Sequence, residues 1–153
     1  MKFLGMVAMV AAASSAQVAG GLIDYSWGMT PAQVLEHSEG TLKEGRSGSG
    51  FIDFRDYDNG IDYKVGNVGT ITIFDRTMDT GFYYSDGKLG QIRTYRKEAC
   101  PDFRFKLKAR YGEPTKESDY PSGYYATWID AASKTEIRLM ASTDCRVFLV
   151  RKD

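Results

Sequence analysis

His37 is the only histidine of this chain, and Cys100 and Cys145 are its only cysteines. One imidazole and two thiols are too few for a histidine- or cysteine-based metal cluster. His37 could in principle serve as a general base. It lies, however, near the end of a short polar-flanked helical stretch, where a cation suits the helix dipole, so a surface position is expected. A Cys–His nucleophile pair needs a free thiol. Ser47-Gly48-Ser49 is loop chemistry and no G-x-S-x-G elbow occurs, so serine hydrolysis has no motif. The carboxylates are more suggestive. Asp53, Asp56, Asp58 and Asp62 fall within ten residues, and hard oxygen ligands at such spacing can hold calcium. The EF-hand register fails: counting from Asp56, the fifth place is Gly60, the sixth Ile61 and the twelfth Asn67. Alternating acids on the solvent side of a hairpin explain the cluster as well. A carboxylate pair for glycoside hydrolysis can be drawn among twenty acids, but a sequence carries no separation between them.

Aromatic residues make up 13% of the chain. Tyr83, Tyr84, Tyr95, Tyr124, Tyr125 and Trp128 lie in stretches that read as strands. If exposed, they could stack on a sugar or grip a partner protein; Tyr83, Tyr84, Tyr124, Tyr125 and Trp128 are the expected interaction surface. The competing reading is β-propensity and core filling, since half of any alternating strand faces inward. Arg104, Lys106, Lys108 and Arg110 form a basic stripe that suits a solvated face. Twenty basic residues balance twenty acidic ones, so no electrostatic footprint points to nucleic acid. No cofactor is implied.

The elements that would position these residues can be read in order. Residues 1–20, MKFLGMVAMVAAASSAQVAG, place Lys2 before an apolar run from Phe3 to Ala13, followed by small residues. This is the pattern of a secretory signal peptide. Cleavage after Ala16 or after Gly20 satisfies the small-residue rule. The apolar run is well short of the ~20 residues that span a bilayer. No later stretch approaches that length, so no integral membrane segment is expected after cleavage. The expected location is the periplasm or the exterior, with one domain over residues 21–153 carrying one net negative charge. In an oxidising compartment Cys100 and Cys145 are expected to bond, stabilising the fold by about 4 kcal/mol in the chain-entropy picture. They form no C-x-x-C, so a thioredoxin-like role has no support.

Residues 26–39 predict a short helix at about 30–38, with Thr30 as N-cap, Pro31 at the first helical position and Gln33 completing a capping box. Residues 40–50 read as a flexible loop or loose edge hairpin. Strand signals follow, punctuated by turn chemistry at Asp58-Asn59-Gly60 and Ser85-Asp86-Gly87-Lys88. Residues 101–111 are ambiguous. Phe103, Phe105, Leu107, Ala109 and Tyr111 alternate with basic residues as in a strand, while Phe103, Leu107 and Tyr111 also share a helical face. Pro101, Gly112 and Pro114 suit a helix start and stop, and a helix is predicted. Residues 124–129, 135–141 and 146–151 complete the strands. The expected fold class is α+β: an antiparallel β-sheet with two short helices packed on one face.

Residues 27–36, WGMTPAQVLE, resemble the G-M-(S/T)-x-x-(E/Q)-V helix start of small exported bacterial proteins of the β-lactamase-inhibitor-like class, which includes small outer-membrane-assembly lipoproteins. Tyr84-Ser85-Asp86-Gly87-Lys88-Leu89 is similar to the aromatic-x-D-G-K-L hairpin of that class, and Tyr111-Gly112-Glu113-Pro114 to a frequent helix ending among such exported proteins. This chain carries no second G-M-T start and no lipidation cysteine. The resemblance implies a curved antiparallel sheet and a binding protein, and brings no catalytic residues. The functional expectation is a non-catalytic exported domain that binds another exported or envelope protein through an open sheet face. The alternative is a small secreted carboxylate-dependent hydrolase using the Asp53–Asp62 region.

Overall fold

The computed structural model describes residues 16–46 and 50–153. The apolar run at 3–13 and the Ser47–Ser49 loop signature lie outside the described residues. Among the described residues nine antiparallel strands form one sheet: β1 (Leu42–Glu44), β2 (Phe54–Asp56), β3 (Ile61–Ile73), β4 (Arg76–Ser85), β5 (Lys88–Arg96), β6 (Lys116–Tyr120), β7 (Gly123–Asp130), β8 (Thr135–Ala141) and β9 (Cys145–Arg151). Their order across the sheet is β1-β3-β4-β5-β9-β8-β7-β6, with β2 also paired to β3. Two meanders, β3–β5 and β6–β9, are therefore joined where β5 pairs with β9. Helix α1 (Pro31–His37) precedes the sheet, and α2 (Phe103–Tyr111) lies in the crossover that carries the chain from β5 to the far edge at β6.

Local chemistry accounts for these elements. Thr30 and Gln33 form a reciprocal capping box with Pro31 at the helix start. Asp86 and Gly87 both have positive φ in the β4–β5 turn, as a two-residue hairpin loop of matching twist requires. At 101–111 the helical reading wins over the alternating one. Phe103 and Leu107 are fully buried on one side, while Phe105, which a strand would have placed with them, is 63% exposed. A disulfide joins Cys100 to Cys145, tying the start of the crossover to the first residue of β9.

The expected α+β architecture with two helices packed on one face is corrected. Half of the described residues are in strands and about 15% in helices, so the sheet dominates. The helices are seven and nine residues long and bury only Val34, Phe103 and Leu107. That is too little apolar surface to cover a sheet of this width. The rest of the cover on that face comes from the N-terminal segment. Val18, Ala19, Leu22, Ile23, Tyr25 and Trp27 join the main core with Ile71, Met78, Phe82, Ile92, Trp128, Ile137, Leu139 and Leu149. Val18 and Ala19, upstream of the domain boundary expected at residue 21, are fully buried. Ala19 N–H and the Trp27 indole N–H both donate to Thr135 Oγ1, each at 2.9 Å. Among the described residues no helix is long and apolar enough to cross a membrane.

On the opposite face the cover is partial. Tyr63, Val65, Val68 and Tyr83 form a second cluster, with Phe51, Phe54 and Ile61 packed against it. This lid, residues 50–61, sits over β3 and β4. Beyond it the face of β5, β9, β8 and β7 is open: Arg93, Tyr95, Phe148 and Met140 are half-buried and Tyr125 and Ile129 exposed.

Candidate interaction site

Strand pairing lines up one row of residues across the open face: Val68 opposite Gly81, Gly81 opposite Arg93, Arg93 opposite Phe148, and Phe148 opposite Arg138. Gly81 is the gap in the row. A Cβ there would lie 2.7 Å from Cγ of Phe51, so the missing side chain is what lets the Phe51 ring settle over β4. Arg93 stands beside it in the row. Its guanidinium carbon sits 3.6 Å from the centroid of Phe54 and 4.4 Å from that of Phe148, a cation against two aromatic faces. Its Nε donates to Gln91 Oε1 at 2.7 Å. Gln91 in turn donates to the buried Asp56 carboxylate at 3.0 Å. Burial lowers the Arg93 pKa from its ordinary value, yet a guanidinium stays charged. Burial also pushes the neighbouring Tyr83 phenol up to about 12.

These side chains line a groove of about 780 Å³ at the border of the lid. Its apolar walls are Phe51, Ile52, Phe54, Val68, Tyr83, Tyr95 and Phe148. Lys43, Arg93 and Arg146 bring three cations to it against one carboxylate, Asp79. Ile52 stands 64% exposed on the rim. The row runs on from Arg138 to Thr127, and Tyr125 and Ile129 stand exposed in the flanking rows of β7. A site of this kind binds by stacking and charge. Among the described residues no three His, Cys, Asp or Glu side chains converge to hold a metal ion.

The five aromatics expected at the surface divide unevenly. Tyr83 lines the groove with its edge, though it is only 2% exposed. Tyr125 is exposed on the same open face. Tyr84, Tyr124 and Trp128 point the other way, into the main core. Tyr84 donates to Asn67 Oδ1, Tyr124 to Glu117 at 2.6 Å, and Trp128 Nε1 to the Gly112 carbonyl at 2.9 Å. These three are structural, because their positions in the strands carry the parity of the covered face. Arg93, Phe54 and Phe148 escaped the sequence reading. The available signal was the β5 alternation, where Ile92 and Thr94 are buried and leave Arg93 beside Tyr95 on the other side.

The acids at 53–62 are each engaged, with Asp56 and Asp58 both paired to Arg138, at 3.8 and 3.3 Å. Asp53 accepts the Val65 N–H at 2.9 Å, and Asp56 accepts the Asp58 N–H as well as Gln91. Asp62 pairs with Arg55 at 3.2 Å. Glu136 completes this polar patch. Burial opposes its ionisation, but hydrogen bonds from Lys152 and Arg138 outweigh that and hold its pKa below the usual carboxylate value. His37 is on the surface, 3.2 Å from Asp24. The basic stripe on α2 is engaged internally: Arg104 with Asp119, Lys106 with Asp102 and Lys108 with Glu117. Comparison with protein-family models, curated proteins and solved structures returns no match.

Proposed function

We propose that this chain is an exported, non-catalytic interaction domain, and that the Arg93 groove is where it takes hold of its partner. The observation that carries the reading is the guanidinium of Arg93 against both Phe54 and Phe148 on a sheet face that the described residues cover only in part. The occupant that suits this chemistry is an extended polypeptide segment of another exported or envelope protein, bearing apolar side chains around a carboxylate. The apolar walls would take the side chains, and the excess of cations would take the charge. Export is supported by the N-terminal pattern of residues 1–20, by the resemblance of residues 27–36 and 84–89 to small exported proteins, and by a disulfide, which persists in oxidising compartments. The non-catalytic reading is supported by the acids of residues 53–62, each taken up by a backbone N–H or a basic partner.

Peptide display on the immobilised protein tests this reading. Selected peptides should be rich in apolar residues flanking Asp or Glu. Their binding should fall at least tenfold for Phe148→Ala and Arg93→Met, and stay unchanged for Tyr57→Ala on the far side of the lid. Peptides of neutral or basic composition, or equal binding by the Arg93 variant, would move the site elsewhere. Turnover of a glycan or peptide panel by the protein would end the non-catalytic reading.

A further inference from the structure

Two cleavage positions fit the small-residue rule in the N-terminal sequence, after Ala16 with Ser14 and Ala16 in the key places, and after Gly20 with Val18 and Gly20. The folded structure treats their two products very differently. Gln17–Gly20 is a working part of the core. Val18 and Ala19 are fully buried, and Val18 N–H donates to the Tyr25 carbonyl at 2.9 Å. Ala19 is held from both sides: its N–H donates to Thr135 Oγ1 at 2.9 Å, and its carbonyl accepts the Tyr111 hydroxyl at 2.5 Å. The Gly20 carbonyl accepts from Arg110 at 3.2 Å. Loss of these four residues would open a hole under β8 and α2 and leave Thr135, Tyr111 and the Tyr25 carbonyl short of partners in a dry interior.

Ala16, the first described residue, carries far less of the fold. Ala16 contributes a carbonyl that accepts the Trp27 N–H at 3.0 Å. Gln17 is exposed, and its side chain lies 3.5 Å from the Asp24 carboxylate. A new ammonium at Gln17 would therefore fall on an exposed residue, where a charge has no burial cost.

We propose that the export peptidase hydrolyses the Ala16–Gln17 bond and that Gln17–Gly20 remain in the mature protein as a plug of its core. The proposal rests on the exported reading above. In the step, water adds to the Ala16 carbonyl carbon and the C–N bond breaks. Ala16 leaves as the carboxylate end of the leader, and Gln17 takes up the proton as a free amine. The peptidase reads an extended chain before folding, so both bonds are presented to it. The cut after Ala16 alone, of the two, yields a chain whose main core is complete.

Full-length chain produced in a secreting host, followed by N-terminal sequencing and intact mass of the exported protein, decides the matter. The expected first residue is Gln17. A first residue at Gly21, or upstream of Gln17 within the leader, overturns the assignment while leaving export standing. An intact chain from Met1 that stays in the cytoplasm overturns both. Two full-length variants sharpen the readout without requiring the product to fold. Ala16→Leu should make unprocessed precursor accumulate. Gly20→Asn, which tolerates the positive φ of 63° at this position, should be processed like the wild type. The reverse pattern would place the cut after Gly20.

Discussion

Thr135→Val removes one oxygen from the centre of the molecule and keeps the shape of the side chain. Thr135 is fully buried at the start of β8. Its Oγ1 accepts two N–H donors, Ala19 N and Trp27 Nε1, both at 2.9 Å. It is the point at which the N-terminal segment is fastened to the sheet. Valine fills the same space but leaves both donors without an acceptor. An unsatisfied buried donor costs roughly 1–3 kcal/mol, so the pair should cost about 2–6 kcal/mol. A chain of this size has a total stability of about 5–15 kcal/mol, so the loss is a large share. At ~2.1 cal/mol/K per residue for the unfolding entropy, a 3 kcal/mol loss lowers Tm by about 10 °C. Urea titration of the two proteins, with the slope checked for equality, gives the difference directly. Thr135→Ser is the control. It retains the hydroxyl and deletes a methyl, and should cost about 1 kcal/mol. A loss below about 1 kcal/mol for Thr135→Val, or equal losses for valine and serine, would refute the reasoning. The two donors would then be reaching water, and the N-terminal segment would not be anchored by this oxygen.

Replacing both cysteines by alanine should cost about 4 kcal/mol, the chain-entropy value for a ring of this length; urea midpoints of the oxidised wild type and the double variant measure it, and coincident midpoints would show the ring to be inert. Gly81→Ala should drive the Phe51 ring off β4, because the new Cβ would stand 2.7 Å from it. Peptide binding to the groove should weaken about tenfold, or about 1.4 kcal/mol, and a titration showing unchanged affinity would remove Phe51 from the site. Alkaline pH should destabilise the fold. Burial raises the pKa of Tyr83 and Tyr111 from 10.0 to about 12, and raises those of Tyr84 and Tyr124 as well. The unfolded chain therefore loses these protons first, so their contribution is complete below pH 10 and is lost as pH climbs toward 12. Phenolate absorbance of these four tyrosines should rise late, together with unfolding; their ionisation near pH 10 in the folded protein would contradict the burial.

Much of the local structure was legible in the chain itself. The capping box at Thr30 and Gln33, the turns at residues 58–60 and 85–88, the helix at 103–111 and the cysteine pair all rest on interactions between near neighbours, or on a count of two. Such features need no knowledge of the rest of the fold. Strand alternation was legible too, but only as parity: it says that Tyr83 and Tyr84 face opposite ways, not which of them meets a covered face. That depended on what came to lie on each side. The N-terminal segment and two short helices closed one face and buried Tyr84, Tyr124 and Trp128, while a short lid closed only part of the other. The weight of the sheet over the helices was missed for the same reason, since residues 18–20 read as leader and residues 21–25 carried no predicted element, while their burial supplies the cover the helices lack. The groove is wholly a tertiary product. Phe54, Arg93 and Phe148 come from β2, β5 and β9, and they meet because the β6–β9 meander returns to pair with β5. A pairing between strands some fifty residues apart is decided by the total burial of two sheet faces, a quantity no local window of the sequence contains.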